Sequence, residues 1–455
     1  MKGKCKMILA AVLLAVGLLV TAGASSYDHC ADQLKVLGLF QGTEQGYELD
    51  RAPTRAEAAT MLVRLLGKEE AAKELEYTAP FTDLEGWEQP YVQYLYENGL
   101  TTGASATTFE PLEACSAQMY TTFLLRALGY SDKDGADFTY ADAVSFGESV
   151  GLVDYANCNT ENFLRDHVAA MSLTALNTPV KDSDDTVLLE KLVADGAVDE
   201  AAAKDMLTLF DRFDSYVAAS EQMSGATKSD LSANVAATAS MDGVKVLDMT
   251  MPMQIKSDMN MENMDQSTMA MTGDIHVELS EALVGEDAEN TLDQKVAFYY
   301  TDGVYYMDMG GQKVKMDMSF DDAVSQIGDL SAMQQTEPLC LIESIEQTGD
   351  AMTVTYSSSG MNALIGSVMQ SMGMDTAAVD IKMDQVETQV TVEDGAIKAM
   401  DLDMQMSVTA EGQTITLAMT MDCTINGLGD DVTITLPDDL DTYEDLLGGA
   451  DAPAA

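Results

Sequence analysis

Hydrophobic and polar positions follow two different periods along this chain. Up to about residue 179, apolar residues recur every three to four positions, the period of a helix that buries one face. From about Leu231 to Leu436 they recur at every second position, the period of a strand with one buried face. The change of period predicts a helical part followed by a part built on a sheet.

The helical part contains one pattern three times: a short helix, a loop and a longer amphipathic helix. The three repeats lie at about 27–67, 81–129 and 138–179. A single helix pair cannot bury its apolar face alone, so we expect the repeats to pack against one another. The predicted helices cover residues 31–39, 51–67, 89–98, 110–129, 140–150 and 163–177.

The second part, residues 225–440, is predicted to be a β-rich domain of the α+β class with long strands. One apolar and one polar face per strand is typical of an antiparallel sheet, here expected to be curved. Two Asp-Gly pairs, in TDGVYY and VEDGAI, predict hairpin turns. Helices are expected at 321–333 and 360–372. Alternation marks strands at 249–255, 269–279, 314–318, 400–408, 415–423 and 432–436.

Methionine fills many apolar positions of these strands, and the chain has 32 of them. Met249, Met251 and Met253 share one face, so the simplest interpretation is an adaptable hydrophobic core. Two alternatives stay open: thioether ligands for Cu(I), which no neighbouring His or Cys cluster supports, and an apolar ligand cavity lined by Met.

The remaining segments are less regular. Residues 1–24 have a basic start, an apolar stretch and small residues at a cleavage site, so they predict a signal peptide. Residues 180–224 are acidic and helical, and we interpret them as a connector. Its acidic start, Asp182 to Asp185, is either a solvated helix start or a Ca²⁺ site. Residues 441–455 are expected to be a flexible tail without a hydrophobic anchor.

Charge and composition limit the function. A net charge of −52 argues against nucleic acid and anionic lipid as partners. Three His and scattered Cys supply a metal site poorly, so no metal and no cofactor are expected. No G-x-S-x-G, H-E-x-x-H or Walker loop occurs, and we expect a protein that is not an enzyme. Abundant carboxylates leave a glycosidase pair open, although one Trp is few for a sugar cleft.

Five cysteines remain after the signal peptide, so at least one thiol cannot pair within the chain. Pairing within each part and small buried thiols are both open. No long apolar segment follows the signal peptide, so no integral membrane segment is expected. A protein exported without an anchor needs a folded module to stay at the cell surface.

The three repeats share parts of one residue pattern. In the second repeat, FTDLEGWEQPYVQYLYENGLTTGASATTFEP contains Phe81, Asp83, Trp87, Gly99, Gly103, Phe109 and Pro111. The first repeat has Gly38, Gly42, Thr54-Arg55-Ala56-Glu57 and Leu66-Gly67. The third has Gly151, Phe163 and Arg165. In these positions the repeats resemble surface-layer homology (SLH) domains, and the resemblance covers about the first third of the mature chain.

This resemblance implies a secreted cell-wall protein of a Gram-positive-type bacterium, bound to a secondary cell-wall polysaccharide that is often pyruvylated. It implies that Arg55 and Arg165 face the anionic glycan, that Trp87 stacks on a sugar ring, and that Gly42 and Gly103 allow close backbone approach. Cys115-Ser116-Ala117-Gln118 replaces T-R-A-E, so the second groove should bind weakly. The structural alternatives are a helix-end ion pair for Arg55, a core position for Trp87 and plain turns for both glycines.

The β-rich part more faintly resembles the LolA- and LppX-like lipoprotein-carrier half-barrels, in pattern only. That resemblance implies a curved sheet that can enclose a lipid-sized cavity. The leading hypothesis is therefore a non-enzymatic wall-anchored protein that displays a β-rich domain. A carrier or sensor of a hydrophobic ligand is the alternative, and a cell-wall hydrolase is a third.

Overall fold

The computed structural model describes residues 27–183, 185–260, 262–285, 289–320, 337–362, 379–410 and 412–446. The predicted signal peptide and the predicted helix at 321–333 lie outside the described residues. So do most of the predicted helix at 360–372 and most of the predicted tail.

The repeats fold as predicted into pairs of helices, one shorter and one longer. The longer helices bury the predicted apolar faces, and Ala58, Met61, Leu62 and Leu65 are each at most 5% exposed. Isolated β-bridges such as Thr54–Ala114 join some of the loops. The helices are α1 (Asp28–Val36), α2 (Arg55–Leu65), α3 (Glu69–Lys73), α4 (Gln89–Glu97), α5 (Ala117–Ala127), α6 (Ala143–Ser149), α7 (Arg165–Leu176), α8 (Leu188–Ala194), α9 (Glu200–Ser224) and α10 (Glu281–Val284).

The predicted connector contains a helix that belongs to the core. Helix α9 spans 25 residues and packs against strands of the sheet. Its apolar side chains recur at helical spacing and are buried, which the acidic composition of the segment concealed. They are Met206, Leu209, Phe210, Phe213, Tyr216 and Ala219.

A curved sheet of 12 strands follows the helices. Its order is β12-β6-β5-β4-β3-β2-β1-β11-β10-β9-β8-β7, and the pairs are antiparallel except for the two-residue parallel pair β12–β6. The strands are β1 (Lys228–Met241), β2 (Val244–Asp258), β3 (Thr268–Leu279), β4 (Thr291–Thr301), β5 (Val304–Met309), β6 (Gln312–Asp317), β7 (Ile342–Thr348), β8 (Ala351–Tyr356), β9 (Val379–Glu393), β10 (Ala396–Ala410), β11 (Gln413–Leu428) and β12 (Glu444–Asp445).

Both predicted Asp-Gly turns are hairpins. Asp302 and Gly303 join β4 to β5 with φ of 50° and 77°, and Asp394 and Gly395 join β9 to β10 with φ of 52° and 77°. Positive φ at both central residues matches the twist of the flanking strands. The predicted strand at 432–436 is wrong: this segment pairs with no strand in the described chain.

The apolar face of the sheet is covered at β10 and only partly covered at β4 and β5, where Val296 and Tyr300 are buried beside more exposed side chains. On β10, Met404 and Met406 are 2% and 1% exposed under the helical layer, whereas Gln405 between them faces outward. On β4 and β5, farther along the same face, Phe298 and Met309 are each 37% exposed. We call the apolar residues of β2–β6 on this face the methionine face.

The repeat module and the sheet form one hydrophobic core. Strand β7 lies at the sheet edge, where Gln33 and Arg212 donate to the carbonyls of Glu343 and Ile345 at 3.2 and 2.6 Å. Side chains thereby occupy backbone acceptors that an open edge would expose. The thiol of Cys30 donates to the carbonyl of Cys340 at 3.6 Å, and the five cysteines of the described residues are free thiols.

Candidate functional site

The three repeats close into a ring in which each shorter helix packs on the longer helix of another repeat. Helix α1 packs on α7, α4 on α2, and α6 on α5. Each repeat therefore completes its core with a helix from a neighbour. The ring has three junctions, which we name by their repeats as 1/2, 3/1 and 2/3.

Junctions 1/2 and 3/1 use the same backbone hydrogen bonds. At junction 1/2, the N–H groups of Arg55 and Ala56 donate to the carbonyls of Glu113 and Pro111 at 2.9 and 3.1 Å. At junction 3/1, the N–H groups that begin α7 donate in the same way to the loop of the first repeat, Arg165 to Arg51 at 2.9 Å and Asp166 to Leu49 at 3.2 Å. Helix N-termini have unsatisfied N–H groups, so a neighbouring loop stabilises them.

Arg55 lies half-buried at the first position of α2. Its Nε donates to the carbonyl of Phe109 at 2.8 Å, and its guanidinium lies over the Phe109 ring, 5.2 Å from the centroid. Its Nη1 contacts Met119 Sδ at 3.0 Å. No carboxylate of the described residues lies within 4.0 Å of this guanidinium. Arg55 is thus held in place by neutral partners.

A pocket of about 380 Å³ adjoins this guanidinium. Repeat 2 forms most of its wall, and Arg55 from repeat 1 and Tyr140 from repeat 3 complete it. The lining also includes Gly103, which the sequence predicted, and Arg126, Asp132, Thr122 and Thr101, which it did not. Arg126 forms a two-point ion pair with Asp132, at 2.9 and 2.7 Å. Hydroxyl groups and a guanidinium together suit a polar, anionic ligand.

Arg165 has the same backbone position but different surroundings. Its side chain is 3% exposed, its Nε donates to the carbonyl of Tyr47 at 2.9 Å, and its Nη1 lies 3.7 Å from Glu57 Oε1. Burial lowers the pKa of Arg165, and the charge of Glu57 opposes that effect. The structure thus places the two predicted arginines in two different junctions, one beside an open pocket and one inside the protein.

The second repeat lacks the arginine. Its residues equivalent to T-R-A-E begin at Ser116, one position later than the match to Cys115-Ser116-Ala117-Gln118 made from the sequence. Ser116 caps α5 by accepting from the N–H of Met119 at 3.2 Å, as Thr54 accepts from Glu57 at 3.2 Å. Ala117 therefore stands where Arg55 and Arg165 stand, and Met119 stands where Glu57 stands. The assignment of Cys115 to the first position of the motif is wrong, because Cys115 precedes the cap.

The two predicted glycines shape the loops that hold the arginines. Gly103 has φ +79°, and a Cβ there would collide with the Phe81 ring and with the carbonyls of Ser105 and Thr108. At Gly42 a Cβ would lie 2.7 Å from the carbonyl oxygen of Gly46. Both positions need glycine for the protein's own packing, which leaves their predicted glycan contact a prediction.

Trp87 is 58% exposed, so the core position considered from the sequence is wrong. Trp87 precedes α4 and Tyr91 lies within it. The two rings make an edge contact, with 6.3 Å between their centroids. Trp87 does not line the pocket beside Arg55. An exposed indole can stack on a sugar ring, but it would contact a different part of a glycan than Arg55 does.

Glu57 is an acid of the ring whose pKa is strongly lowered. Burial alone would raise its pKa, but bonds from Arg51 at 2.6 and 2.8 Å and from the Thr54 N–H at 2.8 Å lower it to about 2. Thr54 and Glu57 form the predicted capping box. Asp83 accepts from the N–H groups of Phe109 and Glu110, and its pKa is lowered by these bonds against the effect of burial. It thereby fixes the loop that carries the Phe109 carbonyl.

In the part of the chain that the structure describes, no three His, Cys, Asp or Glu side chains are grouped so as to hold a metal ion. Asp184, one of the residues considered for Ca²⁺, lies outside that part. None of the described helices is long and apolar enough to cross a membrane.

Comparison with known proteins identifies the repeat region. The model of the S-layer homology domain matches residues 80–116, and the model of a family of unknown function, DUF6612, matches residues 220–442. Similar curated proteins include an endoglucanase of Bacillus sp. (strain KSM-635), 33% identical over 108 residues, which are 21% of this chain and 12% of that protein. The middle cell wall protein of Brevibacillus brevis is 33% identical over 22% of this chain and 10% of its own length. A surface layer protein of Brevibacillus choshinensis is 32% identical over 23% and 10%.

The chain thus spans about a tenth of the length of these relatives. Among solved structures, the ywiB protein of Bacillus subtilis is 9% identical, with 44% of this chain and 96% of that one covered and a TM-score of 0.12. A beta-barrel-like DUF1849 protein of Brucella abortus is 10% identical, covers 44% and 100%, and has a TM-score of 0.16.

Proposed function

We propose, for a chain that carries an S-layer homology domain and is secreted to the cell surface, that the pocket at junction 1/2 binds an acidic polysaccharide of the cell wall. The ring would hold the protein to the wall without a covalent bond, and the sheet would face outward. No chemical step is required of any residue in this role.

The observation that carries the proposal is the state of Arg55. Of the six arginines of the chain, four have a carboxylate within 4.0 Å, and Arg55 and Arg212 have none among the described residues. Arg212 donates to the Ile345 carbonyl at the sheet edge, whereas Arg55 adjoins a pocket. The Nε of Arg55 is fixed by the Phe109 carbonyl, which orients the rest of the guanidinium beside the pocket. A pre-oriented guanidinium binds carboxylate groups well, because two parallel hydrogen bonds add to the charge attraction. Acidic sugars, including pyruvylated ones, carry such a carboxylate.

The test uses the full chain and purified cell walls, with and without their secondary polymer. The wild-type chain should sediment with polymer-bearing walls only. Arg55→Ala should weaken binding by about 1.5–3 kcal/mol, the range for a hydrogen bond to a charged group. Arg55→Lys should recover only part of it, because lysine lacks the two-point geometry.

Lys204→Ala is the matched control, since it removes one positive charge from an exposed position on α9. It should bind like the wild type. A wild-type chain that stays in the supernatant with polymer-bearing walls would refute the anchoring role. If Arg55→Ala binds the walls as tightly as the wild type, this pocket is not the binding site.

The methionine face favours a second candidate function, binding of an apolar ligand. Phe298 and Met309 are each 37% exposed there, and Leu292 is 50% exposed. Their neighbours across the strands, Met271 and Met307, are half-buried. Methionine side chains adapt to ligands of varied shape. A face of this kind suits a neutral apolar molecule, because the acidic surroundings would repel an anionic one.

Nile red, a neutral apolar fluorophore, tests this candidate. Its emission should rise and shift to the blue when it binds the full chain. Phe298→Ser should reduce the signal, whereas Ala297→Ser, one residue away on the opposite face, should not. Equal signals from both variants would argue against a ligand on the methionine face.

A further inference from the structure

We infer that Met119 keeps the anion site of junction 1/2 open, and that this residue helps to decide which of the two junctions with an arginine binds. The inference rests on the proposed function of the Arg55 pocket. It concerns the third residue of the neighbouring repeat's longer helix. That residue is Met119 at junction 1/2 and Glu57 at junction 3/1.

The equivalence of the two positions follows from the helix caps. Thr54 and Ser116 both cap their helices through the N–H three residues later, which belongs to Glu57 and Met119. The arginines are equivalent as well, because each donates from Nε to a loop carbonyl of the neighbouring repeat, Phe109 for Arg55 and Tyr47 for Arg165. The two junctions can therefore be compared residue by residue.

The difference lies at Nη1 of each arginine. Arg165 Nη1 is 3.7 Å from the carboxylate of Glu57, and Arg55 Nη1 is 3.0 Å from the thioether of Met119. A thioether sulfur is a weak acceptor without charge. A carboxylate at that position neutralises the guanidinium, and an external anion would then meet both charges at once. Met119 adds no charge at that position, and the Asp83 carboxylate, which interacts with Arg55 from beyond 4.0 Å, balances the guanidinium only in part.

The same comparison predicts how many sites the ring has. Junction 3/1 has an arginine, but its charge is opposed by Glu57 and its side chain is 3% exposed. Junction 2/3 has Ala117 in place of the arginine. We therefore expect one anion site for each chain, at junction 1/2.

Two nearly isosteric variants test the role of Met119 in the full chain. Met119→Glu should place a carboxylate beside Arg55 and reduce binding to polymer-bearing walls at least tenfold. Met119→Gln should stay within about threefold of the wild type, since a neutral group of similar size leaves the guanidinium charge intact. Thermal melting of both variants shows whether the ring is folded, and only variants that melt cooperatively enter the comparison.

Stoichiometry is the second measurement. Soluble fragments of the wall polymer, cut to single repeat units, should saturate the chain at one fragment. If the wild type binds the walls and the Met119→Glu and Met119→Gln variants bind with equal affinity, the inference is overturned. Saturation of the chain at two fragments would also overturn it. Absence of wild-type binding would instead overturn the proposed function. If Met119→Glu does not fold, the stoichiometry and the Met119→Gln affinity still decide the question.

Discussion

The repeat ring and the sheet are stabilised in different ways. In the ring, single polar residues at defined positions join the repeats, as Arg165 and Glu57 do at junction 3/1. In the sheet, the parity of each residue decides whether it is buried, and many methionines are interchangeable within one face. A substitution in the ring should therefore depend on the identity of the residue, and one in the sheet on which face it occupies.

The sheet gives the largest expected effect. Replacing Met404 and Met406 together with Asp should unfold the sheet, because each buries an unpaired charge at a cost of at least about 3 kcal/mol. Gln405→Asp, between them on the outer face, should change the melting temperature little. Circular dichroism of the strand signal during heating measures both. Equal effects at residues 404, 405 and 406 would show that face parity does not control stability.

Arg165→Ala should give the next largest effect and is the corresponding test in the ring. It removes one partner of a buried ion pair and leaves the Tyr47 carbonyl without its donor, so we expect a loss of about 3 kcal/mol. Arg55→Ala is the control at the equivalent position and should cost less than about 1 kcal/mol, because the Arg55 side chain is only half-buried and its partners are neutral. Urea denaturation of the full chain compares them. Equal losses would mean that the two junctions do not differ as their contacts indicate.

Gly103→Ala should cost about 2 kcal/mol. The residue has φ +79°, and the added methyl would collide with Phe81 and two carbonyls. Gly99→Ala is matched to it, since Gly99 has φ +69° but no atom within 4 Å of the added methyl. That control should cost only about 1 kcal/mol, from backbone conformation alone. Urea denaturation of the full chain measures both losses. A loss at Gly103 no larger than the loss at Gly99 would contradict the crowding of this loop.

The contrast between the two parts also explains what the sequence could predict. Alternation located β2, β3, β10 and β11, because a one-residue change of parity would move every methionine to the wrong face. It missed β1, whose buried residues are mainly alanines interleaved with serine and threonine. It placed a strand at 432–436, where alternation is present but no neighbouring strand pairs with it. The alternation of residues within one segment does not show which other strand that segment pairs with.

At the candidate site, the motif T-R-A-E identified Arg55 and the capping box correctly as local structure. The different surroundings of Arg55 and Arg165 could not be predicted, because each side chain contacts a residue of another repeat, Met119 for Arg55 and Glu57 for Arg165. Arg126 was missed for a different reason: it reaches the pocket from the far end of α5, within the same repeat. The signal in the sequence is a basic residue two positions before the Leu128-Gly129 that follows the helix.

Acid should affect the ring gradually, through the titration of Glu57. Its pKa is about 2 in the folded chain and about 4.5 when the chain is unfolded. The ionised form is thus favoured by folding, so its contribution is complete above about pH 4.5 and is lost as the pH falls toward 2. Melting temperatures between pH 7 and pH 3 should show this loss in the wild type and a shallower one in Glu57→Gln. Glu70→Gln is the control, since the Glu70 side chain is 89% exposed and the variant should follow the wild type. If Glu57→Gln loses stability in acid as steeply as the wild type, the bonds from Arg51 do not stabilise the folded ring.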